Sequence, residues 1–220
     1  MFIFADYKNS EIQRETIKED EIMKNKVKTM SVFCGSAMPT NSIYIESIRS
    51  FGAKIAQKGI RLVYGGAAVG LMGEVANAAI NEGGEVIGVF PTFFNENEIA
   101  HKKLSQQIYV SSMSERKQVM AEMSDAFVIF PGGYGTLDEM YEMLTYSQLD
   151  FHKKPVIIVN INGFYHHLIE QMKHMHEEGF IRNVHFSAFA VANSVDEIFE
   201  IAEKHNFTND DVWLKWAKNK

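Results

Sequence analysis

Nine consecutive residues, Pro131-Gly132-Gly133-Tyr134-Gly135-Thr136-Leu137-Asp138-Glu139, combine a bare backbone turn with a carboxylate. They join an apolar run to a stretch with helical spacing, so a glycine-rich turn feeds a helix start. Glycines permit positive φ and let a ligand approach the backbone without Cβ atoms in the way. A helix N-terminus adds unpaired N–H groups and the positive end of a dipole, which together suit a phosphate. Thr136 is placed to cap the helix and to donate to a phosphate oxygen. The plainer alternative is a tight strand–helix turn whose Asp138 and Glu139 merely favour the dipole. Such a turn does not need three glycines within four positions.

Glu139, Glu142 and Thr145 follow at a spacing of three and share much of one helix face. Cleavage of a glycosidic bond builds positive charge on the sugar ring, and a carboxylate beside the anomeric carbon stabilises it or activates water. Glu139, nearest the turn, is the candidate for that role. Glu142 reads as an exposed helix carboxylate. Met113-Ser114-Glu115-Arg116-Lys117 opens another helix, with Ser114 as the expected N-cap. Arg116 and Lys117 stand early in that helix, where cations oppose the dipole. An anionic ligand accounts for them: Arg binds phosphate in bidentate fashion and Lys acts as a point charge. A surface basic pair is the bland alternative. A guanidinium hardly deprotonates, so Arg116 is read as a hydrogen-bond donor and not as a general acid.

A second glycine-rich turn, Tyr64-Gly65-Gly66-Ala67-Ala68-Val69-Gly70-Leu71-Met72-Gly73, invites a dinucleotide-binding reading and fits it badly. Ala67 occupies the middle glycine position, and Phe90-Pro91 stands where the next strand should end in an acid. No Walker A lysine is present. The histidines at 166, 167, 174 and 176 lack a metal-ligand arrangement, so no metal is expected. Cys34 reads as a small core residue.

These residues need a scaffold that gathers them. Runs rich in β-branched residues fall at Met30–Phe33, Arg61–Tyr64, Val86–Phe90, Gln107–Val110, Ala126–Phe130, Val156–Val159 and Phe189–Ala192. Helical spacing fills Ile43–Gln57, Leu71–Asn81, Ser114–Met123, Thr136–Gln148, Tyr165–Glu178 and Val195–His205, while Pro91 to Ser105 reads mostly as loop. The alternation predicts an α/β fold: a Rossmann-like, doubly wound parallel sheet of about seven strands with helices on both faces. Ligands gather outside the carboxyl ends of such strands. Five candidate segments fall there: Gly35-Ser36, Gly65-Gly66, Glu98, Arg116-Lys117 and Pro131-Gly132-Gly133. The expected organisation is an N-terminal extension over residues 1–27, a catalytic domain over 28–205 and a C-terminal docking helix over 206–220 built around Trp213, Leu214 and Trp216.

Hydrophobic residues make up 46% of the 220 and charged residues 23%, enough apolar material for a sizeable core. The net charge of −6 argues against a nucleic-acid partner, which would need a broad basic face. A single cysteine forms no intramolecular disulfide, and no apolar run approaches the ~18 residues of a membrane span. A soluble cytoplasmic protein without a membrane partner is expected.

The paired motifs Gly65-Gly66-x-x-x-Gly70-Leu71-Met72-Gly73 and Pro131 to Glu139 resemble the LONELY GUY family of cytokinin-activating phosphoribohydrolases, many of them labelled "possible lysine decarboxylase". The resemblance covers roughly Met30 to Val191. It implies a Rossmann-like fold, usually a homodimer, that removes ribose 5-phosphate from an N6-modified adenosine 5′-monophosphate without a cofactor. By position, the catalytic pair is Arg116 and Glu139. The implied substrate contacts are Glu98, Arg116, Lys117, the stretch Gly133 to Glu139, and Thr145. Asn97-Glu98-Ile99 departs from the family's usual text, and Ala67 replaces a glycine common in plant members. Two alternatives stand beside this reading: an AMP nucleosidase without modified-base preference, and a non-catalytic nucleotide sensor. Decarboxylation usually requires pyridoxal phosphate on a Schiff-base lysine, and no lysine stands in a convincing context for one.

Overall fold

A computed structural model describes residues 27–94 and 99–204. Seven strands form one parallel sheet: β1 (Thr29–Phe33), β2 (Arg61–Tyr64), β3 (Val86–Pro91), β4 (Gln106–Val110), β5 (Ala126–Ile129), β6 (Val156–Val159) and β7 (Phe189–Ala192). Their spatial order is β4-β3-β2-β1-β5-β6-β7. The chain winds outward from β1 to β4, then crosses back to pair β5 with the other side of β1, Phe33 facing Ile129. The strand order therefore reverses between β1 and β5, the position where an open α/β sheet forms its ligand crevice. The helices are α1 (Ser42–Gln57), α2 (Gly70–Asn81), α3 (Met113–Met123), α4 (Tyr134–Gln148), α5 (His166–Glu177), the short α6 (Asn183–Phe186) and α7 (Val195–Lys204).

Strand residues alternate between two cores, as the two-residue period requires. Met30 and Val32 of β1, Val128 of β5 and Ile157 of β6 meet Phe51 and Ile55 of α1, Val75 of α2 and Phe199 of α7. Phe33, Phe127, Ile129 and Ile158 point the other way, to Met120 of α3, Met140 and Met143 of α4 and Met172 of α5. Central strands such as β1 and β6 are buried throughout, whereas β4 and β7 at the edges are only partly so. Among the described residues no helix is long and apolar enough to cross a membrane.

The expected strands and long helices form, with ends moved by one or two residues. Two caps differ. The N-cap of α3 is Ser112, whose hydroxyl accepts from the Glu115 amide at 3.1 Å, and Ser114 lies inside the helix. Thr136 likewise lies within α4, whose N-cap is Gly133 with no side-chain cap bond. Short α6 and a 3₁₀ turn at Ile161–Gly163 were not expected, being too brief to show periodicity. The expectations for residues 1–26, Glu98 and the C-terminal tryptophans fall outside the described residues.

Candidate active site

Three loops are stitched together at the switch point. The Gly35 amide donates to Pro131 O at 3.1 Å, and the Leu71 amide donates to Gly35 O at 3.0 Å. This binds the ends of β1 and β5 to the start of α2. Above them opens a cavity of about 590 Å³. On one side lie Gly133, Tyr134, Gly135 and Thr136; Cys34 and Ser36 come from the end of β1. Another part of the lining is apolar, built from Val69 and Met72 of the second glycine-rich turn, Phe90 of β3, Phe94 and Ile99 beyond it, and Met113 of α3.

The glycines of the first motif act differently from one another, and none of them has positive φ. A Cβ on Gly132 would lie 2.1 Å from the Thr136 hydroxyl, so this glycine allows the turn to close on the helix. Cβ atoms on Gly133 and Gly135 would meet nothing within 4 Å. Their bareness leaves the first turn of α4 open to the cavity. With no side chain capping it, the amides of Tyr134, Gly135 and Thr136 have no intrahelical acceptor. Tyr134, 94% exposed, stands at the rim.

Arg116 and Glu139 meet at the floor, Nη1 to Oε1 at 3.1 Å, both almost fully buried. Arg116 is fixed from behind by its Nε, which donates to Val89 O at 3.2 Å. Gly65 makes room for it, because a Cβ there would lie 2.0 Å from the guanidinium Nη2. Burial pushes the Glu139 carboxyl up to about 7, against the Arg116 charge, which pulls it down. Burial also raises the Cys34 thiol above its ordinary range, and the Glu139 charge adds to that.

The structure brings Ser36, Gly65, Arg116, Gly133, Tyr134, Gly135, Thr136 and Glu139 together around one cavity. Gly35, Gly66 and Gly132 support its walls through backbone contacts; Gly66 O, for instance, accepts from the His101 amide at 3.0 Å and anchors the loop carrying Ile99. Four expected contacts do not line it. Lys117 turns to Asp138, at 2.9 Å, and to Glu142. Leu137 packs on the core. Asp138 is exposed. Thr145 bonds back to Tyr141 O at 2.7 Å and stands exposed, roughly 9 Å further along the helix than Glu139 by the 1.5 Å rise per residue. A partly apolar wall toward the base is expected from the sequence, but not which residues build it, although several of them lie just beyond strands, where a doubly wound sheet places them.

Fold and site together define an α/β protein of Rossmann type with an open helix start and a buried Arg–Glu pair at the strand-order reversal. The family described as "Possible lysine decarboxylase" matches residues 72–202. A cytokinin riboside 5′-monophosphate phosphoribohydrolase of Rhodococcoides fascians is 42% identical over 170 residues, 77% of this chain and 86% of that one. One from Arabidopsis thaliana is 35% identical over 195 residues, 89% of this chain and 86% of that one. The chain belongs to this phosphoribohydrolase family. The molybdenum cofactor binding protein of Rippkaea orientalis shares the fold, with a TM-score of 0.62 at 22% identity over 80% of this chain and 95% of that one.

Proposed function

We propose that this protein hydrolyses the N-glycosidic bond of an N6-modified adenosine 5′-monophosphate, releasing the free base and ribose 5-phosphate. The observation that carries the reading is the buried Arg116–Glu139 pair beside the uncapped start of α4. The 5′-phosphate sits on the amides of residues 134–136, where the dipole favours an anion. Glu139 then faces the ribose. Water adds its oxygen to C1′, the C1′–N9 electron pair departs with the purine, and the proton released by the water ends on the base. As the bond breaks, the ring becomes cationic and the Glu139 carboxylate stabilises it across a low-dielectric floor. Arg116 holds Glu139 in place and can donate to the departing base or the phosphate. Its guanidinium stays charged throughout.

The apolar wall of Met72, Phe90, Phe94 and Met113 suits a purine carrying an apolar N6 substituent. Among the described residues no lysine lines the cavity, so the lining gives no support to the Schiff base that decarboxylation would use. The names of the relatives support the phosphoribohydrolase reading over a sensor. A cytoplasmic, homodimeric enzyme without a cofactor completes the proposal. Light scattering of the purified chain tests the dimer. Incubation with AMP and with N6-isopentenyl-AMP, followed by quantification of base and ribose 5-phosphate, tests the reaction. Faster release from the modified nucleotide is expected; equal rates would favour a plain AMP nucleosidase, and no release from either would reject hydrolysis.

A further inference from the structure

Lys117 is adjacent in sequence to Arg116, yet the two point in different directions. About 100° separates neighbours around a helix. Arg116 faces the cavity floor, while the Lys117 ammonium lies between α3 and α4, its side chain 9% exposed. There it bonds Asp138 Oδ2 at 2.9 Å and Glu142 Oε2. Asp138 and Glu142 are four residues apart and share a face of α4. Glu139 lies between them in sequence. Glu142 also accepts from the Tyr146 hydroxyl at 2.8 Å, which fixes the far carboxylate. A buried ammonium held by two carboxylates has little capacity left for a phosphate.

We infer that Lys117 is a positioning residue: it clamps α3 to α4 so that Arg116 and Glu139 stay in contact, and together with Arg116 it balances the two carboxylates that flank Glu139. The inference rests on the hydrolase reading above. Among the described residues, the charges that act on Glu139 are Arg116, in direct contact, and Lys117 from α3, with Asp138 and Glu142 from α4; the Cys34 thiol at the end of β1 shares the cavity. With all carboxylates ionised, the four flanking charged groups sum to zero: two positive from α3, two negative from α4. Loss of Lys117 leaves that surround at −1, beside a carboxylate that must itself carry charge to stabilise a cationic sugar. Asp138 and Glu142 both work to raise the Glu139 carboxyl, and Lys117 opposes them.

The test is steady-state kinetics against pH on full-length K117M, E142Q and the double variant K117M/E142Q, with ribose 5-phosphate affinity measured by calorimetry. The inference predicts that K117M lowers kcat about tenfold near neutral pH and moves the acid-side midpoint of kcat/KM up by about half a unit to one unit, the size expected for a nearby charge. KM and the ribose 5-phosphate affinity should stay within about threefold of wild type. Removal of one uncompensated carboxylate in K117M/E142Q should return the midpoint to near the wild-type value. The substrate phosphate titrates identically in every variant, so the differences belong to the protein. A K117M enzyme with an unmoved midpoint, a KM raised tenfold or more and weakened ribose 5-phosphate binding would make Lys117 a phosphate ligand and overturn the inference. Should K117M not fold, E142Q decides: a lowered midpoint supports the account and an unmoved one contradicts it. A wild-type enzyme that releases no base would instead defeat the hydrolase reading.

Discussion

The molecule contains two glycine-rich strand–helix turns, and they use glycine for opposite reasons. In the turn after β2 the protein itself fills the space. Gly65 yields to the Arg116 guanidinium; Gly70 has φ of +57° and would drive a Cβ to 2.3 Å from the Ser36 carbonyl; a Cβ on Gly73 would lie 2.4 Å from Ala68 O. In the turn after β5 only Gly132 is required by its neighbours, and Gly133 and Gly135 border open space. The turn after β2 is architecture that holds Arg116. The turn after β5 leaves its backbone bare, where the proposed function seats a phosphate. Similar sequences thus separate into a support and a receptor once their surroundings are known.

The strongest challenge to that division is removal of the group both turns serve. Glu139→Ala should lower base release by about a thousandfold or more, while ribose 5-phosphate binding, which the proposed function assigns to the amides, survives in part; single-turnover assays and calorimetry read the two separately. Gly65→Ala attacks the support. Its Cβ displaces Arg116, so kcat/KM should fall about a hundredfold, and unfolding should become easier by about 1–3 kcal/mol as a packed site is overfilled. Gly135→Ala attacks the receptor. It lies in a helix at ordinary φ with room for a methyl, so stability should rise by up to about 1 kcal/mol while nucleotide affinity falls about tenfold. A Gly135→Ala protein that loses stability, or a Gly65→Ala protein that keeps it, would erase the distinction between the turns.

The smallest effect is pH dependence. In the proposed role Glu139 acts as a carboxylate, so kcat/KM should rise with pH through a midpoint near 7, the value to which burial lifts its carboxyl. Stability should run the other way. A folded-state value raised above the ordinary carboxylate means that the native protein holds the proton more tightly. The resulting stabilisation is complete below about pH 4.5 and is lost as pH rises through about 7. The full span is on the order of 3 kcal/mol. Thermal melts of wild type and Glu139→Gln between pH 5 and 8 should therefore diverge, with the wild type losing more on the alkaline side.

Much of this was legible in the residues because it depends on short-range pattern. Seven apolar runs separated by amphipathic stretches identify a doubly wound sheet, and the rule that ligands collect beyond strand ends brings Ser36, Gly65, Arg116 and Glu139 to one edge. What escaped depends on contacts made across the fold. Which glycine is crowded and which is open follows from Arg116 and Ser36, distant in sequence. Lys117 looks like a phosphate ligand beside Arg116 until Asp138 and Glu142, on a different helix, are seen to hold it. The α3 cap was readable: Ser112 stands three residues before Glu115, whose carboxylate accepts from the Ser111 amide at 2.7 Å, but Ser114 offered a competing signal.

The proposed hydrolysis requires that the amides opening α4 hold the phosphate while Glu139 faces the sugar. Crystals of the slow Glu139→Gln variant soaked in AMP test it directly. Phosphate oxygens should lie within hydrogen-bonding distance of the amides of residues 134–136, with C1′ turned toward position 139. A nucleotide bound with its phosphate elsewhere, or with its ribose turned away from that side chain, would contradict it.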